Sequence, residues 1–113
     1  MSSDILALPV SRRGAPVFFA RAELSAILGV YGRMVAQGEW RDYAIASDAD
    51  HAVFAVMRRT GDAPAFCIEK HPRLSARQGA WLVRGEGGVV LKRGHELAQV
   101  LKVFDTRRFR LVP

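Results

Sequence analysis

The sequence is short of the residues that give a chemistry away. Cysteine occurs once, at Cys67, so no intrachain disulfide can form, and a lone thiol fits a reducing compartment. No apolar stretch approaches the roughly 20 residues of a membrane span. The run Ile5–Val10 is short, is broken by Pro9 and has no basic segment before it, so it does not read as a secretory leader. These absences predict a cytoplasmic protein without a membrane partner. There is no Gly-x-Ser-x-Gly elbow, and no P-loop with spaced glycines and a Lys-Ser/Thr pair. Neither an RNA-recognition signature nor a zinc knuckle is present. Cys67 and His71 stand four apart, which on a strand separates them by about 13 Å, too far to share a metal. The sequence therefore names no catalytic residue, metal ligand or cofactor. At 113 residues it makes one domain and is too short for a TIM barrel or a two-halved dinucleotide fold.

Charge is present, and it is lopsided. The chain carries 17 Lys and Arg against 11 Asp and Glu, a net +6. Residues 1–50 hold five basic and six acidic groups, net −1, whereas residues 51–113 hold twelve basic and five acidic groups, net +7. Fourteen of the cations are Arg, whose planar fork suits phosphate and carboxylate better than the point charge of Lys. A basic half of this kind calls for an anionic partner, nucleic acid or an acidic protein surface.

The pattern of apolar residues gives an element order. Residues 1–15, punctuated by Ser, Pro and Gly, read as a loose arm. Pro16–Phe19 is expected to form a short edge strand or to pack on the next helix. Leu24, Ile27, Leu28, Tyr31, Met34 and Val35 make one stripe of a 3.6-residue period, predicting a helix over 21–37 that ends at Gly38. Gly29 and Gly32 inside it suggest that another element approaches closely. Five strands follow, at 40–47, 52–59, 65–71, 80–84 and 89–93, with turn-rich connections too short for parallel crossovers. Val53–Met57 is apolar throughout, as for a strand covered on both faces. Leu97, Val100, Leu101 and Phe104 restore the helical period, and 105–113 reads as a basic tail. The domain thus runs over 16–104. It is expected to be an α+β fold, an antiparallel meander of about five strands packed by an N-terminal and a C-terminal helix. With both helices on one face, Trp40, Trp81 and Phe54 become candidates for the other, as an apolar patch suited to self-association.

Four stretches carry a resemblance: Ile27–Arg33, Gly38-Glu39-Trp40-Arg41-Asp42-Tyr43-Ala44-Ile45, Ala52-Val53-Phe54 with Arg58-Arg59, and Leu91–Leu97 with Val100-Leu101. Together, over about 17–104, they resemble a small bacterial family catalogued as domain of unknown function 2794, and the Gly-Glu-Trp-Arg-Asp-Tyr run is the most specific part. The resemblance implies a small, cytoplasmic, alphaproteobacterial protein and supplies no catalytic residues to carry over. One departure is Ala20, where a polar helix cap is expected in relatives.

Two clusters stand out beside it. In Trp40-Arg41-Asp42-Tyr43, strand alternation would set Glu39, Arg41 and Tyr43 on one side and Trp40 and Asp42 on the other. That is either a ligand wall in which Arg41 holds an anion, or a structural ion pair with wedged aromatics. In Lys92-Arg93-Gly94-His95 a strand meets a helix N-terminus, where free amides and the dipole favour a phosphate. The reading that gathers most of the signal is a non-catalytic binding module for nucleic acid or a nucleic-acid-containing complex. Its expected contacts are Arg58, Arg59, Lys92, Arg93, His95, Arg107 and Arg108. The alternative is a protein-interaction subunit working through an aromatic sheet face around Trp40 and Trp81, as a homodimer. A third, a small-ligand or enzymatic site, would need Arg41, Asp42, Tyr43 and His95 to converge.

Overall fold

A computed structural model describes residues 15–110, with side chains through Asp105. The arm expected over 1–15 thus falls outside the described residues except for Ala15, as do the side chains of Arg107 and Arg108.

Helix α1 (Arg21–Ala36) buries Ile27 and Met34 of its apolar stripe together with Val30 beside it, while Leu28 and Val35 of the stripe stay exposed. Ala20 has no side-chain oxygen to cap it. Instead the Ala20 N–H donates to Glu23 Oε1 at 2.7 Å, the returning half of a capping box. The helix stops because Gly38, at φ +80°, turns the chain back, so that Gly38 N–H donates to the Val35 carbonyl and Glu39 N–H to that of Met34. Gly29 and Gly32 do not admit a neighbouring element: a Cβ on either would meet nothing within 4 Å.

Strands β1 (Asp42–Ser47), β2 (Ala52–Met57), β3 (Phe66–Lys70), β4 (Trp81–Arg84) and β5 (Val90–Gly94) pair antiparallel in sequence order. Helix α2 (Leu97–Arg110) then returns across β4 and β5 and touches α1. The fold is α+β, a five-stranded meander with a helix from each end of the domain. The end of the last helix differs from expectation. The helix runs on through 105–110, because the basic residues there break no helical rule, so the expected tail begins inside α2.

Both helices lie on one face. The registers put Tyr43, Ile45, Phe54, Val56, Phe66, Ile68, Trp81 and Val83 on that face. There Phe54, Val56, Ile68 and Val83 pack with Ile27, Met34, Val100 and Phe104 into one core. Each such side chain contributes roughly 1.5–3 kcal/mol by leaving water. Trp40 and Trp81 belong to this core at 3% and 6% exposure, with Phe54 fully buried. The expected aromatic outer face is therefore absent. These rings are the largest apolar surfaces available, and the sheet spends them under the helices: Trp40 meets Phe104 edge-on at 5.0 Å, and Phe19 stacks on Trp81 at 6.2 Å. That stack is also the role of 16–19, which forms no strand but crosses the sheet end, with Val17 N–H bonded to the Asp48 carbonyl.

The second face carries Asp42, Ala44, Ala46, Val53, Ala55, Met57, Cys67, Glu69, Leu82, Arg84 and Arg93. β2 alternates buried with half-buried along its length, so it is not covered on both sides as its unbroken apolar run suggests. Among the described residues, no helix is long and apolar enough to cross a membrane.

Candidate anion-binding cleft

At the end of the sheet where β2 finishes and β1 starts, two chain reversals face each other. Gly38 directs the chain from α1 toward Glu39, Trp40 and Arg41. Beyond β2, Asp62 N–H donates to the Arg59 carbonyl and Gly61 takes φ +89°, turning the chain tightly after Arg58-Arg59-Thr60. A bulge ties the two together, since Arg41 N–H donates to the carbonyl of Met57, the residue opposite Asp42. The result is an open cleft of about 590 Å³ lined by Gly38, Glu39, Arg41, Arg58, Arg59 and Thr60. Three guanidinium groups and one carboxylate line it.

The three cations differ. Arg58 is held by Glu86 of the β4–β5 turn at 2.6 Å and lies 5.8 Å over the Phe66 ring. Arg41 and Arg59 make no ion pair among the described residues. The C-terminal end of α1 closes the same corner and brings a partial negative charge of roughly half a unit. The cleft keeps a surplus of positive charge after that offset, with two guanidinium forks free to turn toward a ligand.

The other candidate residues are scattered. Lys92 and Arg93 are neighbours on β5 and point to opposite faces, Lys92 beside Val83 and Arg93 beside Leu82 in the register. They cannot hold one ligand together. His95 follows Gly94, which pairs with Trp81 at the far end of the sheet from Arg58. The strand-to-helix junction there is approached by the backbone of Gly79, so it is not a free amide nest. Arg41 and Asp42, at the start of the first strand, and His95, beyond the last, stand at opposite corners of the sheet, and they do not come together in a common small-ligand site. The alternation expected over 39–43 also fails, because the bulge at Arg41 resets it. Trp40 and Tyr43 both reach Tyr31 on the helix side, at 6.2 and 4.9 Å. Several cations of the basic half are paired within the fold: Lys70 with Glu23, Arg73 with Asp50, Arg84 with Glu69.

Residues 17–101 match the family described as Protein of unknown function (DUF2794). The chain belongs to that family. The match runs from the segment before α1 into the first turns of α2, so it takes in the whole sheet and the residues that line the cleft. No curated protein and no solved structure matches it.

This DUF2794 chain carries a second polar cluster that sequence reasoning missed. On the face away from the helices, Glu69 is buried at 7% exposure. Its carboxylate accepts from Arg84 Nε at 2.9 Å and meets His71 Nε2 at 2.8 Å. The His71 ring stacks on His51 at 4.9 Å, and His51 Nδ1 lies 3.0 Å from Asp48. Asp48 Oδ1 also accepts the N–H groups of Asp50 and His51, and these bonds hold its carboxyl below the usual carboxylate range. The period-2 spacing of Cys67, Glu69 and His71 was visible in the sequence, but the antiparallel register that adds Arg84 and His51 was not. Among the described residues no group of three or more His, Cys, Asp and Glu could hold a metal.

Proposed function

We propose that the protein is a non-catalytic binding module that grips the phosphate backbone of a nucleic-acid strand in the Arg41–Arg58–Arg59 cleft. The observation that carries this reading is the convergence of three guanidinium groups on one open cleft, two of them without a carboxylate partner among the described residues. The net +6 supports it by raising the local concentration of any polyanion. The Trp and Phe rings of the strands are in the core and Tyr43, on the edge strand, is the one exposed ring among them, so the sheet has no row of rings for stacking successive bases. Binding is therefore expected to read phosphate and not sequence. Trp40 and Trp81, around which the alternative places an interaction surface, are buried and do not offer their own rings to a partner.

The test is fluorescence anisotropy with a short single-stranded RNA over a salt series. Three phosphate contacts on a single strand give a log–log slope of about −2, a loss of about 20-fold between roughly 50 and 200 mM salt. Arg59→Ala should flatten the slope by about 0.7, and Arg41→Ala likewise, whereas Arg77→Ala, on an exposed turn, should leave it alone. Binding that ignores salt, or that keeps its slope in the Arg41→Ala/Arg59→Ala double variant, would end this reading.

A further inference from the structure

Among the described residues nothing pairs with the outer edge of β1, and that edge is unusual in what flanks it. Asp48 N–H donates to the His51 carbonyl. This fixes the ladder so that Asp42, Ala44 and Ala46 bond to β2, while Tyr43, Ile45 and Ser47 direct their N–H and C=O groups outward. The Tyr43 N–H confirms the parity, since it finds only its neighbour's carboxylate, Asp42 Oδ1, at 2.8 Å. Edge strands of monomeric proteins are normally guarded by Lys, Pro or a bulge. β1 has no charged residue and no proline from Tyr43 to Ser47, and its bulge lies at Arg41, before that stretch.

Beside the open edge lies an uncharged apolar strip. Four of the seven exposed large apolar side chains among the described residues are here: Tyr43 and Ile45 on β1, at 41% and 46% exposure, and Leu28 and Val35 on α1. Leu28 and Val35 flank Tyr31, which contacts Tyr43, so they overhang β1. Arg33 faces the other way and bonds Asp105 of α2, while Arg21, seven residues before Leu28, bounds the strip at the start of α1. Between Arg21 at the start of α1 and Arg41 before β1, the strip formed by Leu28, Val35, Tyr43 and Ile45 carries no charge to oppose a second copy.

We infer that β1 pairs antiparallel with β1 of a second copy, joining two sheets of five strands into one of ten, with Leu28 and Val35 of the two α1 helices meeting above the seam. A two-fold axis through the sheet pairs residues of like parity, and the outward groups must face one another. Three registers that satisfy both conditions make at least two pairs of outward residues, and one of them, Ile45 against Ser47, leaves Tyr43 opposite Ala49, beyond the end of the strand. Setting Ile45 against Ile45 would oppose Asp42 to Asp48 of the second copy, a like-charge pair. Setting Tyr43 against Ile45 of the second copy avoids that. It makes four backbone hydrogen bonds once Tyr43 N–H leaves Asp42, places Ala44 on the axis, and brings the Arg41 end of β1 toward Asp48 of the second copy. The assigned register is thus Tyr43 against Ile45.

The experiment uses the full chain, freed of nucleic acid by nuclease and high salt, so that it does not depend on the cleft. Light scattering should give twice the 12.5 kDa monomer mass, and Ile45→Lys should halve it while the circular dichroism spectrum stays unchanged. In a Cys67→Ala background, Ala44→Cys should cross-link with diamide, because a non-hydrogen-bonded antiparallel pair sits about 4.5 Å apart at Cα, within disulfide reach. Ala46→Cys, displaced from the axis, should cross-link at least about tenfold more slowly. A monomer at every concentration reached, a dimer indifferent to Ile45→Lys, or equal cross-linking at both positions would overturn the assignment. Arg41 is left unsubstituted here, so failure of this test says nothing against the cleft.

Discussion

Gly79 offers a perturbation whose size can be worked from the structure. It closes the β3–β4 connection, where Gln78 N–H and Gly79 N–H both donate to the Leu74 carbonyl, and it holds φ at +94°. A Cβ there would overlap the carbonyl of Gly94 and lie 2.6 Å from His95 N, all backbone atoms at the end of β5. Gly79→Ala thus meets two separate costs. The left-handed conformation costs about 1–2 kcal/mol for a residue with a Cβ. Forcing the end of β5 aside adds about 1–3 kcal/mol, since no side chain can swing away instead. Gly38 supplies the internal control: φ is +80°, but nothing lies within 4 Å of its Cβ position, so Gly38→Ala should cost only the first part, about 1–2 kcal/mol. Gly29→Ala, at an open helical position, should stabilise by roughly 0.5–1 kcal/mol. Urea unfolding followed by the emission of the buried Trp40 and Trp81 reads all three, with the slope m expected unchanged. If Gly79→Ala loses no more than Gly38→Ala, the close approach to Gly94 is not limiting and the reasoning fails.

Two further outcomes follow from the face opposite the helices. Arg84→Met leaves the buried Glu69 carboxylate without its 2.9 Å donor, and the midpoint of urea unfolding should fall by the equivalent of about 1.5–3 kcal/mol. Adding Glu69→Gln should recover about 1 kcal/mol of that loss, and strictly additive effects would show that the bond is not coupled. Burial, with the Glu69 charge second, raises the Cys67 thiol above its ordinary value, against the opposing pull of Arg84. The folded chain then holds the Cys67 proton more tightly than the unfolded one. The contribution to stability is complete below the unfolded pKa of about 8.5 and is lost as pH rises from there through the folded value. The unfolding midpoint of the native chain should therefore decline more between neutral and alkaline pH than that of Cys67→Ala. Parallel declines would refute the assignment.

Most of the fold is legible in the residues. The stripe from Leu24 to Val35 marks α1 and Gly38 its end. The short polar connections force an antiparallel meander, because none can hold a crossover. What failed was facing. The run Val53–Met57 is apolar at every position, so its periodicity cannot say which side is covered, and Val53, Ala55 and Met57 on the second face are half-buried with neither helix over them. Trp40 was misplaced for a local reason: the bulge at Arg41 breaks the alternation that would have sent it outward. The cleft was half legible. Arg58-Arg59 and Arg41 each stand out, but their meeting depends on β1 lying beside β2 with Asp42 against Met57. The histidine pair was invisible for the same reason, since 20 positions separate His51 from His71 in the chain.

The sequential strand order has a consequence for how the chain acquires its structure. Every sheet pairing joins neighbours in sequence, so little chain entropy is spent in closing each hairpin. The long closure is the docking of α1 on α2, sealed by the Arg33–Asp105 contact across 72 positions. The β2–β3–β4 unit, carrying Phe54, Ile68 and Val83, is the natural nucleus. Helix docking then comes after the rate-limiting step, with substitutions at Val83 slowing folding and those at Arg33 or Asp105 chiefly hastening unfolding. A chain emerging from a ribosome would thus complete its sheet before either end of the molecule is clasped.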